Sequence, residues 1–129
     1  MKLKYKSISW IDSSVDGSKL KEDIFETDYI PYEESTKDEY LILDFDDGNM
    51  KHHLEISNNR IFIKYGERNI DLKYHEYVFM NYKGPIKNIV FYWYLKNVSI
   101  GLNEITFEYD ILNDNTLITS NIVTLKFQK

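Results

Sequence analysis

Apolar and polar residues alternate along the middle of this chain, and residues typical of tight turns interrupt the alternation at short intervals. Successive side chains of a β-strand point to opposite faces, so a period of two predicts strands with one apolar and one polar face. Asp47-Gly48 and Asn58-Asn59 are typical of two-residue hairpin turns, and Gly66–Asn69 suits a four-residue loop. We therefore predict a four-stranded antiparallel meander over residues 39–74 with one face in water.

The three turns also predict which residues lie opposite one another in the meander. The first turn pairs Leu43 with His52, the second pairs His52 with Tyr65, and the third pairs Tyr65 with Ile70. This register places His52 on the apolar face and His53 on the polar face. A slip of one residue would move every side chain to the other face, so the burial of His52 tests the register.

The amino-acid composition extends the β prediction to the whole chain. The 129 residues contain no alanine, the best helix former, but 16 isoleucines and 11 tyrosines, which suit a pleated, half-buried surface. The length is that of one ordinary domain, and no linker or repeat divides residues 1–129. Pro31–Asp38 is predicted to be a loop, in which a short helical turn is one possible conformation. The alternation predicts nine strands, at approximately 3–11, 22–30, 39–46, 50–57, 61–65, 70–80, 86–95, 103–112 and 116–127.

Three stretches of the sequence resemble a known family: EISNNRIFIKYGERNIDLKY, NYKGPIKNIVFYWYL and GLNEITFEYDILNDNTLITSNIVTLKF. They are similar to the YwiB-like proteins of Gram-positive bacteria, a family of unknown function with a calycin-type, lipocalin-like β-barrel. The resemblance implies a fold, but no activity and no functional residues. An antiparallel meander with one apolar face can also close into a barrel, which removes its open edges. We predict an all-β, calycin-like barrel of about eight strands, with an immunoglobulin-like sandwich as the alternative.

The sequence offers no set of side chains for catalysis or metal binding. It has no cysteine, and adjacent residues such as His52 and His53 point to opposite faces of a strand. No glycine-rich phosphate loop or nucleophile motif is present. We therefore predict no catalytic residue, no metal ligand and no cofactor, and expect that the protein is not an enzyme.

The charge balance and hydropathy limit the partners. The net charge is −5, whereas nucleic-acid binding rests on a basic surface, so we expect no nucleic-acid partner. No apolar run approaches 18 residues, so we expect no membrane span, and the charged start of the chain shows no signal peptide. A cytoplasmic location is the resulting expectation.

Residues 89–95 form a run of seven large apolar residues, which predicts burial on both faces of one strand. Tyrosine can keep its hydroxyl in water while its ring packs, so we expect Phe91 and Trp93 inside the barrel and Tyr92 and Tyr94 outside beneath a cover. The cover is either the region 12–38 or a second protein chain.

Glu76 breaks the pattern further upstream, because strict alternation from Tyr74 to Val78 places this charged side chain on the core face. A β-bulge near His75 or Glu76 would turn it outward, and we favour that interpretation. Tyr77 and Phe79 would then occupy the apolar positions.

Two functional hypotheses follow. The first is a non-enzymatic binding module whose interior holds a small apolar ligand, with His52, Tyr65 and Tyr109 lining it. His52 could instead be a core histidine bonded to Tyr65 or a backbone carbonyl, and large inward residues could fill the barrel completely. The second hypothesis is a protein–protein interaction module, a homodimer or heteromer, that uses Tyr92 and Tyr94. The interior volume is the observation that separates them.

Overall fold

A computed structural model of the chain describes residues 1–11, 21–80, 91–113 and 116–128. All of its regular structure is β, and no helix in these residues is long and apolar enough to cross a membrane. The strands are β1 (Lys2–Ile11), β2 (Lys21–Glu26), β3 (Ile30–Lys37), β4 (Tyr40–Asp46), β5 (Lys51–Ile56), β6 (Arg60–Tyr65), β7 (Arg68–Lys73), β8 (Tyr77–Met80), β9 (Phe91–Ile100), β10 (Glu104–Asn113) and β11 (Thr116–Gln128).

The strands form one antiparallel sheet that curls into a nearly closed barrel. Its order is β7-β6-β5-β4-β3-β1-β11-β10-β9-β8, and β2 pairs with β1 beside this path. The two ends of the sheet meet where Tyr74 forms a bridge with Leu95 and the backbone N–H of His75 donates to the Leu95 carbonyl at 3.0 Å. The all-β barrel prediction is confirmed, although the described chain has eleven strands where we expected about eight.

Two of the differences in strand count have a local cause. Pro31–Asp38 was expected to be a loop, but β3 covers most of it, because pairing with β4 holds a segment whose side chains are nearly all exposed. Strand pairing, unlike burial, leaves no apolar alternation in the sequence. The predicted strand 70–80 is broken between β7 and β8, where His75 has a φ of 55°.

The β4–β5 hairpin has a longer loop than predicted. Phe45 pairs with His52, and Leu43 pairs with Leu54, so the predicted Leu43–His52 pair is wrong. The loop spans four residues, because the Asp47 N–H bonds to the Met50 carbonyl at 3.1 Å and closes the turn two residues later than expected. A shift of two residues keeps the side chains of β4 and β5 on their predicted faces, and His52 is buried as predicted, whereas Met50, expected on the apolar face, lies in the loop and is exposed.

The next two turns show one confirmed register and one shifted register. At Asn58-Asn59 the predicted pairs hold, and His52 lies opposite Tyr65. The following turn contains two residues, not four, and Ile63 therefore pairs with Ile70. Gly66 has a φ of 59°, the positive value that a type II′ turn requires at its first central residue, and this allows the short connection.

β1 joins the two halves of the barrel. It pairs with β11 along its whole length without a register shift, with β3 at Lys2 and Leu3, and with β2 from Lys6 onward. Its odd-numbered residues face inward, where Leu3 is fully buried. The barrel core also holds Tyr32, Leu43, Phe45, Leu54, Ile56, Ile61, Ile63, Leu72, Trp93, Leu95, Ile105, Phe107, Tyr109, Val123 and Leu125.

One face of β9 packs in the core, whereas its outer face is only partly buried, so the burial of both faces that the apolar run predicts is incomplete in the described residues. Trp93 and Leu95 belong to the core, whereas Phe91, at the start of the strand, is only half-buried. Tyr92 and Tyr94 lie half-buried on the outer face.

The ring contacts of Tyr92 and Tyr94 on this outer face come from β8, which pairs with β9 in the same sheet, and not from the described part of the region 12–38. The Tyr77 ring lies 4.7 Å from the ring of Tyr94, and Phe79 lies 6.0 Å from Tyr92. Glu76 is exposed, as expected from a break in alternation. Tyr77 and Phe79 were expected at apolar positions of the core, and this prediction is wrong: their side chains are 65% and 59% exposed.

Candidate functional site: a cavity inside the barrel

The barrel is not filled by its own side chains. It contains a cavity of about 320 Å³. Phe25 and Arg68 line it and are also exposed, so the cavity reaches the surface between β2 and β7. β2 pairs only with β1 in the described chain, so the sheet is incomplete there. The lining consists of Tyr5, Ser7, Ser9, Phe25, His52, Leu54, Ile63, Tyr65, Arg68, Ile70, Phe107, Tyr109, Asn121 and Val123.

One wall of the cavity is polar and built by β1 and β11. Ser7 and Ser9 face inward because they share the parity of the buried Leu3. The Ser9 hydroxyl donates to Asn121 Oδ1 at 2.8 Å, and the Asn121 amide donates to Thr119 Oγ1 at 3.0 Å. These bonds provide the hydrogen-bond partners that the buried Asn121 side chain requires.

His52 lies in the opposite wall and is fixed by Asp47. Nε2 of His52 and Oδ2 of Asp47 are 2.7 Å apart, and the two side chains are only 3% and 1% exposed. The other oxygen of Asp47 accepts bonds from the N–H groups of Asn49 and Met50 at 2.7 and 2.8 Å. Burial by itself would raise the pKa of Asp47, but the hydrogen bonds from His52, Met50 and Asn49 outweigh it and lower the pKa.

Aromatic rings surround the imidazole of His52. Phe45 stacks on it with ring centroids 4.5 Å apart and planes 10° apart, Tyr65 lies at 4.5 Å, and Tyr5 lies at 4.9 Å. We had considered Tyr65 or a backbone carbonyl as the partner of a core histidine. The partner is instead Asp47, which the sequence-based register had placed in the turn.

Buried phenols form a further part of the lining. Burial raises the pKa of Tyr109 to about 12 and holds the pKa of Tyr5 well above its usual range. The Tyr109 hydroxyl makes no hydrogen bond to any described residue. Every fully buried polar side-chain atom of the described residues has a hydrogen-bond partner. The Tyr109 hydroxyl has none among these residues, so it is not fully buried and opens onto the cavity.

The structure brings together all three side chains predicted to line the interior, because His52, Tyr65 and Tyr109 border the same cavity. Sequence reasoning missed Ser7, Ser9 and Asn121. The signal was present in β1, where the apolar positions change from odd numbers (Leu3, Tyr5) to even numbers (Ile8, Trp10). Such a change is typical of a bulge, but β1 is regular, and the change instead marks inward-facing serines.

The outer face carries a second histidine bonded to acidic side chains. His53 Nδ1 lies 2.6 Å from Asp44 Oδ1, and its Nε2 lies 3.3 Å from Glu55 Oε2. All three side chains are partly exposed. Among the described residues, no group of three or more histidine, cysteine or acidic side chains is arranged to hold a metal ion.

The architecture of the barrel is similar to that of a solved protein. The crystal structure of the YwiB protein from Bacillus subtilis superposes with a TM-score of 0.66 over 99% of this chain and 92% of that one. The two chains share this fold. Their sequence identity is 12%, so the likeness concerns the fold alone. No protein family profile and no curated protein matches the sequence.

Proposed function

We propose that the protein binds a small, largely apolar molecule in the barrel cavity and does not transform it chemically. The observation that carries this proposal is the cavity of about 320 Å³ inside the barrel. That volume lies in the range of small-molecule sites and equals the space of about ten water molecules.

The lining of the cavity supports a binding role. Apolar atoms make up most of the lining, and Phe25, Tyr65 and Ile70 are among the lining side chains that are not fully buried. A few fixed polar groups could orient a ligand. His52 bonds to Asp47, and no serine or threonine hydroxyl in the described chain lies within hydrogen-bond distance of its ring. A nucleophile and base in contact are therefore lacking among these residues, which favours binding over covalent catalysis.

The proposal is tested by filling the cavity. Ser7 and Ile8 are neighbours on β1 that point to opposite faces, so Ser7→Phe places a ring in the cavity and Ile8→Phe places the same ring outside. The probe is 3-phenylpropan-1-ol, a neutral molecule of about ten heavy atoms, titrated into ¹⁵N-labelled protein and followed by NMR.

We expect the probe to shift the amide signals of cavity-lining residues in the unchanged protein and in Ile8→Phe, but not in Ser7→Phe. Binding that survives in Ser7→Phe, or an absence of binding to the unchanged protein, would contradict the proposal. Circular dichroism spectra of both variants establish that the barrel is intact.

A second candidate function is self-association through the aromatic outer face of β8 and β9. This surface consists of Tyr77, Phe79, Tyr92 and Tyr94, and its two outermost side chains are more than half exposed. Exposed aromatic clusters are typical of interfaces. If a homodimer forms here, Tyr77→Ser combined with Phe79→Ser should lower the mass measured by analytical ultracentrifugation. A monomeric mass for the unchanged protein would exclude this candidate.

We also propose that the chain is a member of the YwiB-like family and that its barrel is of the calycin type. The shared fold with the YwiB protein supports them. A cytoplasmic location and the lack of a nucleic-acid partner stay predictions, and the net charge of −5 is the observation that favours the second.

A further inference from the structure

Arg68 differs from the other arginine of the chain in its ion pairing. The chain contains two arginines, and Arg60 forms a two-pronged pair with Asp71, with N–O distances of 3.2 and 3.0 Å. Arg68 lies at the start of β7, opposite Tyr65, and lines the cavity where it reaches the surface. It forms no ion pair with any described residue. Its planar guanidinium is therefore available for a bidentate partner.

Arg68 is also the only side chain of permanent charge among the described residues that line the cavity. The buried carboxylate of Asp47 is already occupied by His52 and two backbone N–H groups. In a chain with a net charge of −5, the described residues thus place one cation without an ion-pair partner among them at the entrance of the interior. This arrangement favours an anion over a neutral or cationic molecule.

Tyr109 provides an independent polar anchor inside the cavity. It is 9% exposed, and its hydroxyl faces the cavity without a hydrogen-bond partner in the described chain. Because the hydroxyl is accessible from the cavity, a ligand there can form a hydrogen bond with it. The cavity therefore offers a charged group at its entrance, an apolar body and a free hydroxyl.

We propose that the ligand is a small monocarboxylate with an apolar or aromatic body, whose carboxylate binds Arg68 at the entrance while its body lies in the cavity. One guanidinium compensates one negative charge, which suits a carboxylate better than a doubly charged phosphate. This inference rests on the proposed binding function and adds the chemical class of the ligand.

The test compares three probes of the same shape and different charge: 3-phenylpropanoate, 3-phenylpropan-1-ol and 3-phenylpropan-1-amine. Their dissociation constants are measured by NMR titration at one ionic strength. Because a hydrogen-bonded charge pair contributes more than a neutral contact, we expect the carboxylate to bind at least about tenfold more tightly than the alcohol, and the amine most weakly.

Two substitutions separate the role of Arg68 from a general effect of charge. Arg68→Gln should remove the preference for the carboxylate, so that the affinity for the carboxylate falls much more than the affinity for the alcohol. Arg60→Gln removes the same charge from the outer face, where Arg60 pairs with Asp71, and should leave all three affinities unchanged.

The outcomes distinguish the two proposals. Equal affinities for carboxylate and alcohol, or an equal loss for both in Arg68→Gln, would refute the carboxylate inference and leave the binding function standing. If none of the three probes binds, both the binding function and the inference fail. If Arg60→Gln weakens the carboxylate as much as Arg68→Gln does, a general field effect replaces the contact with Arg68.

Discussion

The pair Asp47–His52 is the side-chain interaction on which the cavity wall depends most. Both side chains are buried, and Asp47 also closes the β4–β5 loop through two backbone N–H groups. Removing one member of a buried pair leaves the other without a partner, which costs more than the net gain of forming the pair. The position of His52 inside the barrel therefore requires Asp47.

Asp47→Ala is expected to lower the free energy of unfolding by about 3 kcal/mol, because it leaves the His52 ring N–H unsatisfied and opens the loop. Asp46→Ala is the matched control. Within the described part of the chain, the Asp46 side chain bonds only to the exposed Gly48 N–H at 2.8 Å, so its loss should cost less than about 1 kcal/mol. Urea denaturation measures both values. Equal losses would show that Asp47 acts only as a turn residue.

His53 predicts a pH dependence of stability. Burial by itself would lower its pKa, but hydrogen bonds to Asp44 and Glu55 outweigh it and raise the pKa above the ordinary value of 6.5. A raised folded-state pKa stabilises the protein fully below 6.5 and loses that contribution as the pH rises through the folded-state pKa.

The difference in unfolding free energy between the unchanged protein and His53→Gln should therefore decrease from about pH 5.5 to about pH 8.5. The contribution is small because the ring is partly exposed. In a background that carries Asp44→Asn and Glu55→Gln, the decrease should disappear. A difference that grows with pH would contradict the raised pKa.

At the scale of the element, β9 shows how one strand divides its two faces between core and surface. Trp93 and Leu95 belong to the core, while Tyr92 and Tyr94 pack beside the rings of β8 on the outer face. The apolar run alone indicated double burial. The parity of the strand and the tolerance of tyrosine for partial exposure decided which residues faced inward.

Trp93→Ala is expected to destabilise the protein by about 3–5 kcal/mol, because it removes a large core side chain and leaves a cavity. Tyr92→Ala, on the neighbouring outward position, should cost about half as much or less. Phe91→Ala should also cost less than Trp93→Ala, since Phe91 is half-buried. Chemical denaturation of the three variants gives the order. Similar losses at Trp93 and Tyr92 would show that the two faces are equally buried.

At the scale of the whole molecule, the barrel depends on β1, which joins the first half of the chain to the last. Leu3 is fully buried where β1 meets both β3 and β11, opposite Ile30 and Phe127. β1 links the strands β3–β7 to the strands β8–β11, so loss of its pairing would separate these two groups. The barrel should therefore unfold as one cooperative unit.

Leu3→Ala is expected to lower the unfolding free energy by about 2–5 kcal/mol and to shift tryptophan fluorescence and far-ultraviolet circular dichroism together. Fluorescence reports on β1 and β9, where Trp10 and Trp93 lie, whereas circular dichroism reports on the backbone of all strands. Lys4→Ala, with its partly exposed outward side chain, is the control and should change the midpoint little. Separate transitions would show that the β4–β7 meander unfolds independently of the other strands.

The sequence by itself determined the fold class, the positions of the turns and the face on which each meander residue lies. His52 faces inward as predicted although its partner across β4 was wrong, because a register shift of two residues preserves a period of two. The periodicity of the sequence does not predict which residue of β4 lies opposite His52. The length of each turn depends on hydrogen bonds such as those of Asp47, which form only in the folded loop.

Only the tertiary structure decided the cavity and what lines it. Ser7, Ser9 and Asn121 carry no apolar signal, and they face the interior only because β1 and β11 close the barrel in regular register. Arg68 lies far along the chain from Tyr5 and Tyr109, yet all three border one space. A local alternation of side chains fixes which face is inside. The volume enclosed by that face depends on how distant strands meet, and no local pattern encodes that distance.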